Sequence, residues 1–195
     1  HFGTPAYQEA DARYRGYFER YIDDATMFYD VFLINLQGDI VYSQRHESDF
    51  ATNLMVGPYR DTGLSDAFLE SRLSLESVAS TFEYYQPSQA MAAFVVIPVI
   101  RDDRLLGVIA FQLGIAQIQQ VAADPIGLGS SGETVLAKLV DAQHAMILTQ
   151  TKYDFAAILK PVEFGKIPDP MHRALLGIHG SGIEYDYRGR QVIAA

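Results

Sequence analysis

Cysteine is absent from all 195 residues, which removes disulfides, thiolate catalysis and Cys-based zinc or iron–sulfur sites together. The compartment stays open, because an extracytoplasmic domain can do without disulfides. Clustered cations are missing too. With a formal net charge of −9 and no run of Lys or Arg, the chain is a poor partner for nucleic acid or an anionic membrane surface. The longest near-continuous apolar stretch, Ala90 to Ile100, is too short to cross a bilayer and is interrupted by Pro98. The N-terminus shows no signal-peptide pattern. These absences leave two readings: a cytosolic protein, or a soluble piece lying between two membrane helices.

What is present is ordinary globular material, 49% hydrophobic and 20% charged, enough for one large domain or two small ones. Pro5 opens a stretch with Tyr7, Tyr14, Phe18, Tyr21, Ala25 and Phe28 at helical spacing, so an amphipathic helix is expected over 5–29. The period then shortens to that of strands. "YDVFLINLQGDIVYSQ" reads as a hairpin turning at Gln37-Gly38-Asp39. A polar loop punctuated by Gly57-Pro58 and Gly63 leads to a short helix, "DAFLESRLSLESVAS", capped by Ser65 or Asp66. Three strands follow: "TFEYYQPS", "MAAFVVIPVI" and, after Arg101-Asp102-Asp103, "RLLGVIAFQLG". The class is α+β, an antiparallel sheet covered by helices.

After "IAQIQQVAAD", read as a helix ended by Pro125, the pattern begins again. "GETVLAKLVDAQHAMILTQ" repeats the first hairpin in kind, and "GIEYDYRGRQVIAA" repeats "FEYYQPSQAMAAFV". Two modules in tandem are expected, at 30–124 and 125–195, the second incomplete at its C-terminus.

Between them lies "GLGSSGET", Gly127 to Thr134, whose glycine spacing imitates a phosphate-binding loop. The lysine position holds Glu133, which repels phosphate. The flanks are inverted as well: a helix precedes it and an apolar, β-branched strand follows, where a phosphate loop needs strand then helix. A helix after Thr134 would favour an enzyme; a strand favours a glycine-rich link into a new module.

No other catalytic pattern emerges. His46, His144, His172 and His179 lack zinc spacing, although His172 and His179 are seven apart. No serine sits in a G-x-S-x-G elbow, and Asp61, Asp66 and Glu70 read as a solvated helix start. No catalytic residue, metal or cofactor is assigned. Tyr42, Tyr59, Tyr84 and Tyr85 are the more suggestive group, since a ring with a polar tip suits the wall of a binding site.

Taken in order, D-F-x-T-N-L…G-P-Y at Asp49 to Tyr59, F-x-x-Y-x-P-S at Phe82 to Ser88 and the G-L-G-x-x-G-E opening resemble the double Cache family. Its members are tandem PAS-like sensor domains on the outer side of bacterial membrane receptors, and the resemblance covers nearly the whole chain. It implies a long N-terminal helix, a membrane-distal ligand-binding module, a membrane-proximal one, and a periplasmic location in an inner-membrane receptor. The implied output is a histidine kinase, with a chemoreceptor or cyclase as alternatives, and a homodimer through the helix is a further expectation. Carried over by position, the ligand site is Tyr59 and Arg60 in the loop, Tyr84, Tyr85 and Ser88 on and after the third strand, Phe94 on the fourth and Gln112 on the fifth. The chain departs from its relatives at Ala51, where glycine is frequent, and at Thr81, where aspartate is. It also lacks the Tyr/Arg/Asp signature of amino-acid-binding members, so an amino-acid ligand is not expected.

Overall fold

The computed structural model describes residues 4–25, 28–124, 126–153 and 159–195. It has two compact units, His1–Gln117 and Ile118–Ala195. Both are α+β with antiparallel sheets.

The first unit opens with α1, Pro5–Ala25. Its inward stripe runs through Tyr7, Asp11, Arg15, Phe18 and Ile22, while Tyr14 is 53% exposed. The expected tyrosine stripe is thus rotated. Arg15 takes an inward place because it pairs with Asp11 on the preceding turn and reaches across to the sheet. Phe28 belongs to the next strand, and the side chains of Tyr21 and Ala25 lie outside the described ones.

The sheet is built from β1 (Phe28–Ile34), β2 (Ile40–Ser43), β3 (Val78–Ala79), β4 (Glu83–Tyr85), β5 (Ala90–Arg101) and β6 (Arg104–Gly114), in the order β2-β1-β6-β5-β3, with β4 also on β5. The hairpin from β1 to β2 turns at Gly38, whose φ of +88° suits glycine. Helix α2, Gly63–Ser74, starts earlier than expected. Its cap is Thr62, whose hydroxyl accepts from Ser65 N–H, and Leu75 ends it in the left-handed region at φ 60°. Val78 and Ala79, expected within that helix, therefore leave it and pair with Val96 and Val95.

One face of the sheet carries the core, in three rows across the strands. Asp30, Gln112 and Phe94 are cross-strand partners; so are Ser43, Phe32, Ala110 and Val96; so are Ile40, Ile34 and Val108. Phe68 and Leu64 of α2, with Leu54 of the loop, pack into the same core as the apolar residues of the second and third rows and are fully buried. Each such side chain contributes about 1.5–3 kcal/mol through burial. The first row ends the apolar surface with two polar side chains.

Helix α3, Ile115–Ala122, leads out of β6. In the second unit β7 (Ala137–Leu139), β8 (His144–Ile147) and β9 (Pro161–Glu163) form one sheet. Helix α4 (Asp169–Leu175) follows, then the hairpin of β10 (Gly182–Tyr185) and β11 (Gln191–Ala194). Ala145, Val162 and Ile167 form a small core with Phe164, Met171 and Leu175. The regular element after Thr134 is a strand. Glu133 accepts from Lys152 N–H at 2.6 Å and from the Tyr187 hydroxyl at 2.6 Å, so it is spent on holding its own unit together. His179 lies beyond the end of α4 and shares no helix face with His172. Pro125 lies outside the described residues.

Candidate functional site

The polar end of the core face is where the expected ligand residues fall. Tyr85, on β4, is fully buried, and its ring stands edge-on to Phe94 with centroids 4.8 Å apart. Its hydroxyl donates to Asp49 Oδ2 at 2.7 Å, and Asp49 is fully buried too. Tyr59 lies half-buried beside Tyr85, ring centroids 6.1 Å apart. The Tyr59 hydroxyl donates to Gln86 Oε1 at 3.0 Å and stands 2.7 Å from Ser48 Oγ. Gln112, 1% exposed, donates through Nε2 to Ser88 Oγ at 2.9 Å. The Ser88 hydroxyl in turn points to the Tyr85 carbonyl at 3.4 Å.

Five of the seven expected residues thus share this end of the sheet: Tyr59, Tyr85, Ser88, Phe94 and Gln112. The other two turn away. Tyr84 neighbours Tyr85 on a strand, so alternation sends it to the opposite face, where it is 63% exposed. Arg60 is 57% exposed and pairs with Asp61 at 3.4 Å. Tyr42 is buried on the far face, against Phe18 of α1 with centroids 5.1 Å apart, and burial pushes its phenol up to about 12.

Two carboxylates complete the site. Asp30 is fully buried and accepts from Val31 N–H at 2.7 Å, Ser43 Oγ at 2.8 Å, Gln44 N–H at 2.9 Å and Arg45 N–H at 3.2 Å. Burial nevertheless lifts its carboxyl to about 6, because four donors do not offset full desolvation, and the Asp49 charge adds to the rise. Asp49 is raised by burial and by Glu47, and lowered by the Tyr85 hydroxyl. The Tyr85 phenol is raised by burial and by Asp49. Asp49 carries a signal in the sequence, as the first residue of its motif. Asp30 carries another, a lone charge within the apolar run "FYDVFLI".

Among the described residues, the buried acceptors Gln112 Oε1 and Asp49 Oδ1 find no hydrogen-bond partner, and neither does Glu47 Oε2 nearby. The N–H groups of Asp49 and Phe50 pull the Asp49 carboxyl down without forming a bond of good geometry to Oδ1. Leaving such atoms unfilled costs about 1–3 kcal/mol each, more where the group is charged.

The loop that brings Asp49 and Tyr59 together is fixed residue by residue. Thr52 Oγ1 donates to the Asp49 carbonyl at 2.6 Å. Asn53 Nδ2 bonds to Gln37 O and Asp39 Oδ1, and its Oδ1 accepts from Met55 and Val56 N–H. Gly57 lies so close to Asn53 that a Cβ would stand 2.3 Å from its carbonyl oxygen. Thr62 Oγ1 donates to the Tyr59 carbonyl at 2.8 Å. The N-L…G-P-Y motif is therefore the scaffold of one wall.

The same loop meets α1. Arg15 donates to Gln44 O at 3.0 Å and lies 3.0 Å from His46 Nε2. Burial and then the Arg15 charge lower the His46 pKa, so the neutral ring accepts from the guanidinium. His46 stacks on Phe50, centroids 4.1 Å apart, and Phe50 reaches both Tyr7 of α1 and the core. His144 pairs with Asp141 and His172 lies against Phe164. Among the described residues no group of three or more His, Asp or Glu is placed to hold a metal.

No family model and no curated protein matches the chain. Solved structures do. An extracellular ligand-binding receptor from Desulfohalobium retbaense aligns with 93% of this chain at a TM-score of 0.60 and 12% identity, over 30% of its own length. The ligand-binding domain of the Pseudomonas fluorescens chemoreceptor CtaA, solved with L-leucine, aligns with 88% at 0.53 and 10% identity, over 64% of its length. The sensor domain of the V. cholerae histidine kinase DctB matches 56% of this chain at 23% identity and a TM-score of 0.41, over 40% of its length. The chain spans less than two thirds of each. No helix of the described residues is long and apolar enough to cross a membrane. In fold, the chain is like the extracellular ligand-binding sensor domains of bacterial receptors, consistent with the Cache resemblance of its motifs.

Proposed function

We propose that this chain is the extracytoplasmic sensing region of a bacterial transmembrane receptor, holding a small molecule in its first unit. The observation that carries the reading is a fully buried Tyr85–Asp49 pair beside a fully buried Gln112, which shares a cross-strand row with the buried Asp30. A core built only for stability does not leave acceptors unfilled there. A site kept for a ligand does, because the ligand supplies the partners. The likeness in fold to receptor ligand-binding domains supports the reading.

In this proposal residues 30–124 are the membrane-distal PAS-like module and 125–195 the membrane-proximal one, in tandem behind a long N-terminal helix. The parent protein is anchored in the inner membrane, with a histidine kinase as output and a homodimer as its working form. The ligand touches Asp49. Its loop neighbours His46 and Phe50 carry the displacement to Arg15 and Tyr7 of α1. A ligand shifts such an equilibrium only by its difference in affinity between the two arrangements.

The test is a thermal-shift screen of this chain against a library of small metabolites, repeated with Gln112→Met. That variant removes an unfilled acceptor together with the bond to Ser88, a net loss of at most about 1.5 kcal/mol, and its folding is checked by its own melting curve. A hit lost in the variant supports the reading; a library without a hit, or hits unchanged by the variant, overturns it.

A further inference from the structure

Within that reading of the site, we propose that the ligand is a small organic cation, an ammonium or guanidinium compound without a carboxylate.

The leftover groups decide the polarity. Each hydroxyl and amide donor of the site already has an acceptor: Tyr85 donates to Asp49, Gln112 to Ser88 through one of its two Nε2 hydrogens, Ser88 to Tyr85 O, and Ser43 to Asp30. What remains is acceptors, Gln112 Oε1 and Asp49 Oδ1. The orientation of the Gln112 amide follows from the chain of bonds. Since Ser88 spends its proton on the Tyr85 carbonyl, its oxygen takes a hydrogen from Gln112, which leaves Oε1 as the free end. A ligand completes this site by donating.

The charge points the same way. Asp30 and Asp49 are both fully buried, and the Asp49 charge adds to the rise in the Asp30 pKa while Glu47 acts on Asp49. Among the described residues no basic side chain forms an ion pair with either. Residues 1–117 contain no lysine at all. Arg15 is committed to Asp11 and the Gln44 carbonyl, Arg45 to the Tyr29 carbonyl and ring, and Arg60 to Asp61 in the open. An anionic ligand therefore meets two buried carboxylates and no cation. A zwitterion has a place for its ammonium group and none for its carboxylate. A cation gains the two open acceptors, and the face of Tyr59 or Tyr85 suits it further. The leucine bound by CtaA is then a poor guide to this chain.

The experiment is calorimetric titration of the 195-residue chain with putrescine, agmatine and isobutylammonium, set against L-leucine, succinate and isobutyramide. At least one of the three cations binds, L-leucine and succinate do not, and Gln112→Met weakens the cation at least tenfold while still melting in a single cooperative step. Binding of L-leucine or succinate that Gln112→Met abolishes overturns the cation assignment and leaves the sensing site standing. Failure of all three cations overturns it as well. If the metabolite screen is also empty, the site itself falls.

Discussion

Removing one oxygen, in Tyr85→Phe, tests the electrostatic reading of the site most directly. The ring stays, so the 4.8 Å edge-on contact with Phe94 and the burial of the side chain are retained. What disappears is the Tyr85–Asp49 hydrogen bond, 2.7 Å long and wholly buried, the one bond of good geometry to that carboxylate among the described residues. A hydrogen bond to a charged group contributes about 1.5–3 kcal/mol, and a buried carboxylate stripped of its donor stands at the upper end. For a unit of this size that lowers Tm by roughly 5–15 °C. The pH dependence separates this cause from a packing defect. The Tyr85 hydroxyl lowers the Asp49 pKa, so its loss raises a pKa that burial has already raised. The variant is therefore destabilised where Asp49 is ionised in the parent chain, and the deficit shrinks as pH falls through its titration and the neutral carboxyl no longer needs the donor. Urea denaturation at pH 8 and pH 4 reads both quantities. Tyr84→Phe, on the exposed side of the same strand, is the control and stays within about 0.5 kcal/mol. A Tyr85→Phe deficit below about 0.5 kcal/mol at pH 8, or one equally large at pH 4, refutes the reasoning.

Asp30 has its folded carboxyl at about 6, above an unfolded value of ~3.9, so the native chain binds the extra proton between them. Its contribution makes stability fall as pH rises from ~4 to ~6, by up to about 3 kcal/mol, then level off; Asp30→Asn flattens that slope in denaturation measured across the range. Thr62→Ala removes both the α2 cap and the clamp on the Tyr59 carbonyl, and costs about 0.5–2 kcal/mol in the same assay. Arg15→Ala unties α1 from Gln44 and His46 while leaving the sheet's core intact, so amide exchange accelerates in α1 before it does in β5 and β6. Equal acceleration in all three removes the helix–loop link.

The site's residues were partly legible because two kinds of signal survive in a sequence and a third does not. Periodicity and turn chemistry locate β1, β2, β5 and β6, whose apolar residues alternate along the strand or run continuously between turns. A motif locates the Asp49–Tyr59 loop, because Asn53 and Gly57 do jobs few other residues can do. Facing is harder. Tyr84 and Tyr85 are indistinguishable by type, and only pairing of β4 with β5 shows which one points inward. The α1 stripe is legible only in part for a related reason: Tyr7 and Phe18 face inward as their spacing predicts, while Arg15 takes a place that Tyr14 does not, through contacts 29 and 31 residues away in the chain. The same holds for α2, where Ser65 looked as good a cap as any until its hydroxyl was drawn to the Leu54 carbonyl at 2.8 Å, leaving Thr62 at the helix start. Long-range partners decide what a polar side chain does, and they are what the linear sequence hides. Asp30 is the instructive exception. A carboxylate in the middle of an apolar strand is too costly to be accidental, so its position alone marks the row of the sheet where polarity has been kept. Gln112 then follows from register, since it is Asp30's partner on the neighbouring strand. A lone buried charge in a strand is thus a pointer across the sheet as well as along it.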